Sequence, residues 1–250
     1  MIVLPTFDER DNIEPFLRAV EAMRTGQDLP ADTTVDVLVI DDNSPDGTAD
    51  AARLLADELG GIRVVQREGK LGLGSAYRDG FRQVIDDGYD VVISMDADLS
   101  HDPAVVPTML ALLARGADVV VGSRYVPGGG TTDWPVRRQL LSRWGNAYTR
   151  TVLRLPVRDC TSGFRAYRAS ALAAIEPDST GAEGYAFLTE LVRRASRLGC
   201  AIEETPIVFR DRTRGHSKMS GRIIVETMWL VTHWGLADLI GRWTRRRRRA

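Results

Sequence analysis

Three times in the first half of the chain a largely apolar run stops abruptly at a charged loop, and this recurrence narrows the possible folds more than any other feature. Residues 35–40 run into Asp41 and Asp42, residues 91–95 into Asp96-Ala97-Asp98-Leu99-Ser100-His101, and residues 117–123 into Arg124. The run at 91–95, bounded by Gly88 and the acidic pair, suits a strand buried on both faces, as in a parallel sheet. Further strands are expected at 1–4 and 62–66. Helical periodicity lies between them, with Ile13, Phe16, Leu17 and Val20 after the first strand and a further helix over 104–115. Strands alternating with helices call for a mostly parallel α/β sheet with right-handed crossovers. Such a sheet delivers every strand-ending loop to one edge, where ligands bind.

The totals limit what can sit at that edge. A net charge of -1 over 250 residues argues against a surface built for nucleic acid, although residues 245–249 form a terminal basic run. Cys160 and Cys200 stand in no metal-binding or disulfide spacing, so a reducing cytoplasm is the default. Asp8 and Glu9 arrive too early for a signal peptide, and the first strand has so little lead-in that the native start is expected upstream. Of the 33 Lys and Arg residues only Lys70 and Lys218 are lysines, both in loops, where a compact ammonium has uses a guanidinium does not.

Asp96 and Asp98 place two hard oxygen ligands together at the strand mouth. That is the requirement for Mg²⁺ or Mn²⁺ bridging a sugar-nucleotide diphosphate. The alternative for D-x-D alone is a strand-ending turn, with Asp102-Pro103 opening the next helix. The glycine-rich loop Gly69-Lys70-Leu71-Gly72-Leu73-Gly74 follows the third strand and lacks the spacing of a dinucleotide fingerprint, which sets a dehydrogenase aside.

Beyond Thr131 the alternation breaks. Trp134, Arg138, Ser142 and Asn146 recur every four residues, the spacing of one stripe along a helix, and their chemistry suits an anionic head group near a membrane. Residues 159–167 read as a small-residue loop running into a strand, the segment after Glu183 as a mostly buried helix, 201–209 as one strand, and 210–218 as a basic loop. Residues 223–243 are apolar and Trp-rich but contain Glu226 and Asp238, too many charges for a spanning helix. With its Arg-rich end this segment is expected to be an interfacial or docking helix that favours anionic lipid, the alternative being an ordinary terminal helix packed on the domain. The expected division is a catalytic domain over 1–220 and an interfacial helix with basic tail over 221–250.

Taken in order, these motifs resemble the family 2 glycosyltransferases, and within them the dolichol-phosphate or polyprenol-phosphate mannose synthases. The likeness runs through Pro5-Thr6-Phe7-Asp8-Glu9, residues 41–48, residues 96–101, Gly122-Ser123-Arg124-Tyr125, the 134–146 stripe, residues 160–167, residues 183–187 and the 212–218 loop. It implies the GT-A fold and an inverting, metal-dependent transfer of mannose from GDP-mannose to a polyprenyl or dolichyl monophosphate. A UDP-sugar donor, or a catalytically silent lipid-docking protein, stays open as an alternative. Residue by residue, the resemblance assigns Pro5, Phe7 and Glu9 to base and ribose, with Phe7 where the family usually has Tyr. Asp42 and Asp96 correspond to the nucleotide-binding acids, with Lys70, Ala97 and Lys218 beside the nucleotide sugar, and Asp98 (with Asp96) to the metal site. Arg124, Arg138 and Ser142 correspond to the acceptor-phosphate grip, and Arg212 to the donor diphosphate. The implied location is peripheral, on the cytoplasmic face of a membrane. The implied partners include the membrane surface and, in some bacterial relatives, an apolipoprotein N-acyltransferase-like membrane protein.

Overall fold

The structure, a computed structural model, describes residues 1–211 and 221–247. Its elements follow in the order β1 (Ile2–Thr6), α1 (Arg10–Arg24), β2 (Val37–Asp41), α2 (Thr48–Leu59), β3 (Ile62–Gln66), α3 (Leu73–Asp86) and β4 (Val91–Ser94). Then come α4 (Val106–Ala114), β5 (Val119–Ser123), β6 (Gly130–Thr132), α5 (Val136–Leu153), β7 (Arg165–Arg168) and α6 (Ala169–Ile175). The chain continues with α7 (Gly184–Leu198), β8 (Ile202–Pro206), β9 (Val208–Arg210) and α8 (Gly221–Arg247).

Seven strands form the main sheet in the order β3-β2-β1-β4-β7-β5-β8, and β6 pairs with β9 in a second, two-stranded sheet. Every neighbour in the main sheet is parallel except β7, which runs antiparallel between β4 and β5. The expected α/β architecture is what forms. The chain steps outward through β1, β2 and β3, then returns to the other side of β1 as β4. Strand order reverses there, and open α/β sheets bind ligands outside the carboxyl ends at such a point.

The apolar strands divide between the two faces by simple alternation. Val3, Leu38, Ile40, Val92 and Val121 join Tyr77, Phe81, Phe187 and Leu191, so α3 and α7 cover one face. Ile2, Leu4, Val37, Val39 and Ile93 join Ile13, Phe16, Leu55 and Met109, so α1, α2 and α4 cover the other. Complete burial of such side chains contributes roughly 1.5–3 kcal/mol each. Helix α3 lies especially close to β1: a Cβ on Gly80 would stand 2.4 Å from Val3 Cγ1. That approach carries the N-terminus of α3 to the carboxyl edge of the sheet.

Several expectations are corrected. The helix expected over 104–115 opens as a 3₁₀ turn at Pro103–Val105, capped by the Asp102 side chain, before α4 begins. The single strand expected over 201–209 is two strands in two sheets. Its ladder with β5 ends at Pro206, which has no N–H to donate, and Val208 then pairs with Gly130. Trp134 precedes α5, because Pro135 is the N-cap with extended ψ. Helix α8 packs on α5 and α7, with Val231 wholly buried and Asp238 paired to Arg193 at 2.6 Å. No described helix is long and apolar enough to cross a membrane.

Candidate active site

Because six strands run one way and β7 runs against them, the carboxyl ends of the six and the segment entering β7 all meet at one edge. The expected convergence of charged loops therefore occurs, with the 159–164 loop as an additional member.

On the donor side, the loop after β1 is stitched to the loop after β2. Asp8 N–H donates to Ser44 Oγ at 3.1 Å, Glu9 N–H to Thr48 Oγ1 at 3.0 Å, and Arg10 N–H to Asp46 at 3.0 Å. Asp41 is a structural brace: wholly buried, it accepts from Thr6 Oγ1 and from the amide and hydroxyl of Ser44. Asp42 faces the glycine-rich loop. Its Oδ1 accepts from Arg67 at 2.7 Å, and its Oδ2 from the amides of Leu71 and Gly72 at 3.2 and 3.0 Å, the entrance to α3. A carboxylate is favoured at such a helix N-terminus. Arg67, which the sequence reading missed, is itself buried and also reaches Ser75 and Asp79. Lys70 Nζ lies 3.7 Å from the centroid of Phe7. Phe7 and Asp42 thus both meet the glycine-rich loop, through Lys70 and through the Leu71 and Gly72 amides, while Pro5 lies in β1 and Glu9 is tied to Thr48.

The Asp96–His101 turn follows β4. Leu99 takes a left-handed φ of 62°, and Ser100 N–H donates to Asp98 Oδ1 at 3.1 Å. His101 is buried, and Asp96 N–H donates to its Nδ1 at 3.1 Å. Burial pushes the His101 pKa down against the pull of Asp96 and Asp98, which agrees with Nδ1 acting as an acceptor. Gly163, at the approach to β7, backs the Asp96 carboxylate: a Cβ there would meet Oδ1 at 3.3 Å. Ala97 and Asp98 are buried. No cluster of three or more His, Cys, Asp or Glu among the described residues could hold a metal alone. Two carboxylates, however, are what Mg²⁺ takes when substrate phosphates complete its shell. Two residues on from Asp98, the buried Ser100 Oγ has no hydrogen-bond partner among the described residues. An all-oxygen set with a spare hydroxyl fits a hard divalent cation.

The expected acceptor residues also come together, each already engaged. Arg124 makes a bidentate pair with Asp159, at 2.7 Å in both contacts, and its Nη2 donates to Thr161 Oγ1 at 2.8 Å. Burial raises the Asp159 pKa, but the Arg124 charge and hydrogen bonds outweigh it and hold the carboxyl below the ordinary carboxylate range. Arg138 donates to Asp211 at 2.8 Å, and its guanidinium lies 4.0 Å over the Trp134 ring. Ser142 Oγ is 2.6 Å from the Tyr125 hydroxyl. Asn146 closes the stripe: its Nδ2 donates to Thr161 Oγ1 at 3.2 Å, and its Oδ1 accepts from Cys160 N–H at 2.7 Å. The four-residue spacing therefore does mark one face, with Trp134 joining from outside the helix. Asp159 and Tyr125 were not singled out. Arg212 and Lys218 lie outside the described residues.

Comparison with known proteins adds the relationship. The family described as "Glycosyl transferase family 2" matches residues 1–175. The chain is 44% identical over 237 residues, 95% of its own length and 94% of the relative's, to the undecaprenyl-phosphate mannosyltransferase of Micrococcus luteus. It is 40% identical over 247 residues, covering 97% and 89%, to the polyprenol monophosphomannose synthase of Mycolicibacterium smegmatis. Among solved structures it resembles glucosyl-3-phosphoglycerate synthase from Mycobacterium tuberculosis, in complex with Mn²⁺, UDP-glucose and phosphoglyceric acid. The TM-score is 0.64 at 22% identity, covering 93% of this chain and 79% of that one, a likeness of fold.

Proposed function

The chain belongs to glycosyl transferase family 2, and we propose that it transfers mannose from GDP-mannose to a polyprenyl monophosphate. One observation carries this reading: the Asp96–Asp98 turn and the Arg124–Arg138–Ser142 cluster share one sheet edge. The two relatives named for mannosyl transfer to polyprenyl phosphates support it, since their likeness spans nearly the whole chain.

In this reading Pro5, Phe7, Glu9, Asp42, Lys70, Asp96 and Ala97 line the nucleotide-sugar site. Asp96 and Asp98 hold the divalent cation, Mg²⁺ or Mn²⁺, which when bound offsets the diphosphate charge that grows as the nucleotide departs. Arg212 and Lys218 belong to the same donor side. Arg138 and Ser142 bind the acceptor phosphate, with Arg124 beside them. The acceptor is already anionic at neutral pH, so no general base is needed. A phosphate oxygen bonds to the anomeric carbon as the bond from that carbon to the GDP oxygen breaks. The products are polyprenyl-phosphate mannose and GDP. The protein's task is to hold two anionic substrates together in line.

Residues 1–220 then form the catalytic unit, and residues 221–250 help seat it on the cytoplasmic face of a membrane, where a membrane protein can act as partner. Exposed Trp144, Trp229 and Leu236 support contact with lipid. Label transfer from GDP-mannose to polyprenyl phosphate, with and without EDTA, tests the proposal. EDTA-sensitive formation of the mannolipid is expected. Transfer from UDP-glucose or UDP-N-acetylglucosamine in its place would overturn the donor assignment.

A further inference from the structure

Phe209 lies where the metal-side turn meets the acceptor arginines. It sits on β9, which the parallel β6 holds in register, Thr131 opposite Phe209. Its ring meets His101 edge-on, with centroids 5.5 Å apart at 77°, and Trp134 likewise, at 5.4 Å and 72°. The Arg124 guanidinium carbon is 5.4 Å from its centroid. His101 is fixed from the other side by Phe164, stacked at 5.2 Å, and by the Asp96 amide. Trp134 in turn is the platform under Arg138. One half-buried ring therefore connects a fixed point of the Asp96–His101 turn to both arginines of the acceptor cluster.

We propose that Phe209 is a positioning residue for the acceptor phosphate, setting Trp134 and Arg124 against His101 so that Arg138 and Arg124 face the acceptor in a fixed geometry. The proposal rests on the reading of this cluster as an acceptor-phosphate site. Edge-to-face contacts give rings a preferred mutual orientation that an aliphatic side chain of similar bulk does not supply. Among the described residues the buried Trp134 Nε1 has no hydrogen-bond partner, so no hydrogen bond from them fixes the ring's angle. Its orientation depends on packing, and Phe209 supplies a main part of that packing.

The test uses the full chain, with farnesyl phosphate as probe and calorimetry as readout, comparing wild type, Phe209→Leu and Phe209→Tyr. Phe209→Leu should weaken farnesyl phosphate binding by about five- to tenfold, the scale of a partly desolvated cation–π arrangement. Phe209→Tyr, which keeps the ring, should restore it. GDP binding should stay within about twofold in both variants, because the split between acceptor and donor affinity marks a positioning role. Unchanged farnesyl phosphate binding in Phe209→Leu, or an equal loss of GDP and farnesyl phosphate binding, would overturn the assignment. Failure of wild type to bind farnesyl phosphate would overturn it together with the acceptor site itself. Wild type that binds farnesyl phosphate but transfers no mannose would refute the proposed reaction and leave the Phe209 result standing.

Discussion

Arg124 and Asp159 face each other through two parallel contacts of 2.7 Å, one partner nearly and the other wholly buried, although 35 residues separate them in sequence. The pair ties the end of β5 to the loop that enters β7. A pair taken out of water is a weak stabiliser as a unit, but removing one partner strands the other's charge. Asp159→Ala is therefore expected to cost about 3–5 kcal/mol in urea unfolding. The pH dependence follows from the depressed Asp159 pKa. Its contribution is fully present above the unfolded carboxylate value, about 3.9, and is lost as pH falls through the lower folded value. Wild type should lose stability across that acid window more steeply than Asp159→Asn, which chemical denaturation at a series of pH values will show.

Asp98→Ala should abolish transfer without unfolding the protein, since Asp98 lies in the loop beyond β4 and outside the sheet ladder, where it accepts from the Ser100 amide. Mn²⁺ binding in the presence of GDP, followed by calorimetry, should disappear with it. Retained activity that EDTA still abolishes would place the cation elsewhere.

Much of this edge was legible in the sequence because it rests on local signals. Uninterrupted apolar runs mark strands buried on both faces, and the run ending at Asp96 appears as β4 and its turn. The antiparallel sense of β7 was not legible, because a strand's periodicity carries no direction. The break at Pro206 needed knowledge of which neighbour the strand joins. Trp134 was assigned to α5 because four-residue spacing does not register that Pro135 starts the helix. Asp159 and Arg67 were missed for a shared reason. Their partners, Arg124 and Asp42, are 35 and 25 residues away, and only the folded chain makes pairs of them.

The Arg138–Asp211 pair occupies the guanidinium assigned to the acceptor phosphate. Both side chains are partly exposed, 28% and 30%, so the pair is worth no more than about 1 kcal/mol and a phosphate can displace it. Asp211→Asn should tighten farnesyl phosphate binding by about two- to fivefold, and Arg138→Ala should weaken it while GDP affinity stays unchanged. A collapse of GDP binding in Arg138→Ala would assign the stripe to the donor.

The last expectation concerns the membrane. A polyprenyl tail is costly to withdraw from a bilayer, so the enzyme must reach the interface. Successive residues of a helix turn by about 100°, which sets Leu140 and Trp144 roughly opposite Arg138 and Ser142 on α5. Leu140 and Trp144 are 63% and 56% exposed. Trp229 on α8, the helix packed against α5, is 64% exposed. Apolar and aromatic side chains that enter the headgroup region give binding insensitive to salt, whereas basic residues add an attraction that salt screens. Replacing Leu140 and Trp144 together by Gln should lower binding to anionic vesicles at high salt, where the basic contribution is suppressed. Binding of farnesyl phosphate from solution should survive, because the substituted side chains face away from the acceptor cluster. Vesicle sedimentation at low and high salt measures both contributions. Equal high-salt binding by the variant and wild type would remove α5 from the interface and leave α8 to make the contact.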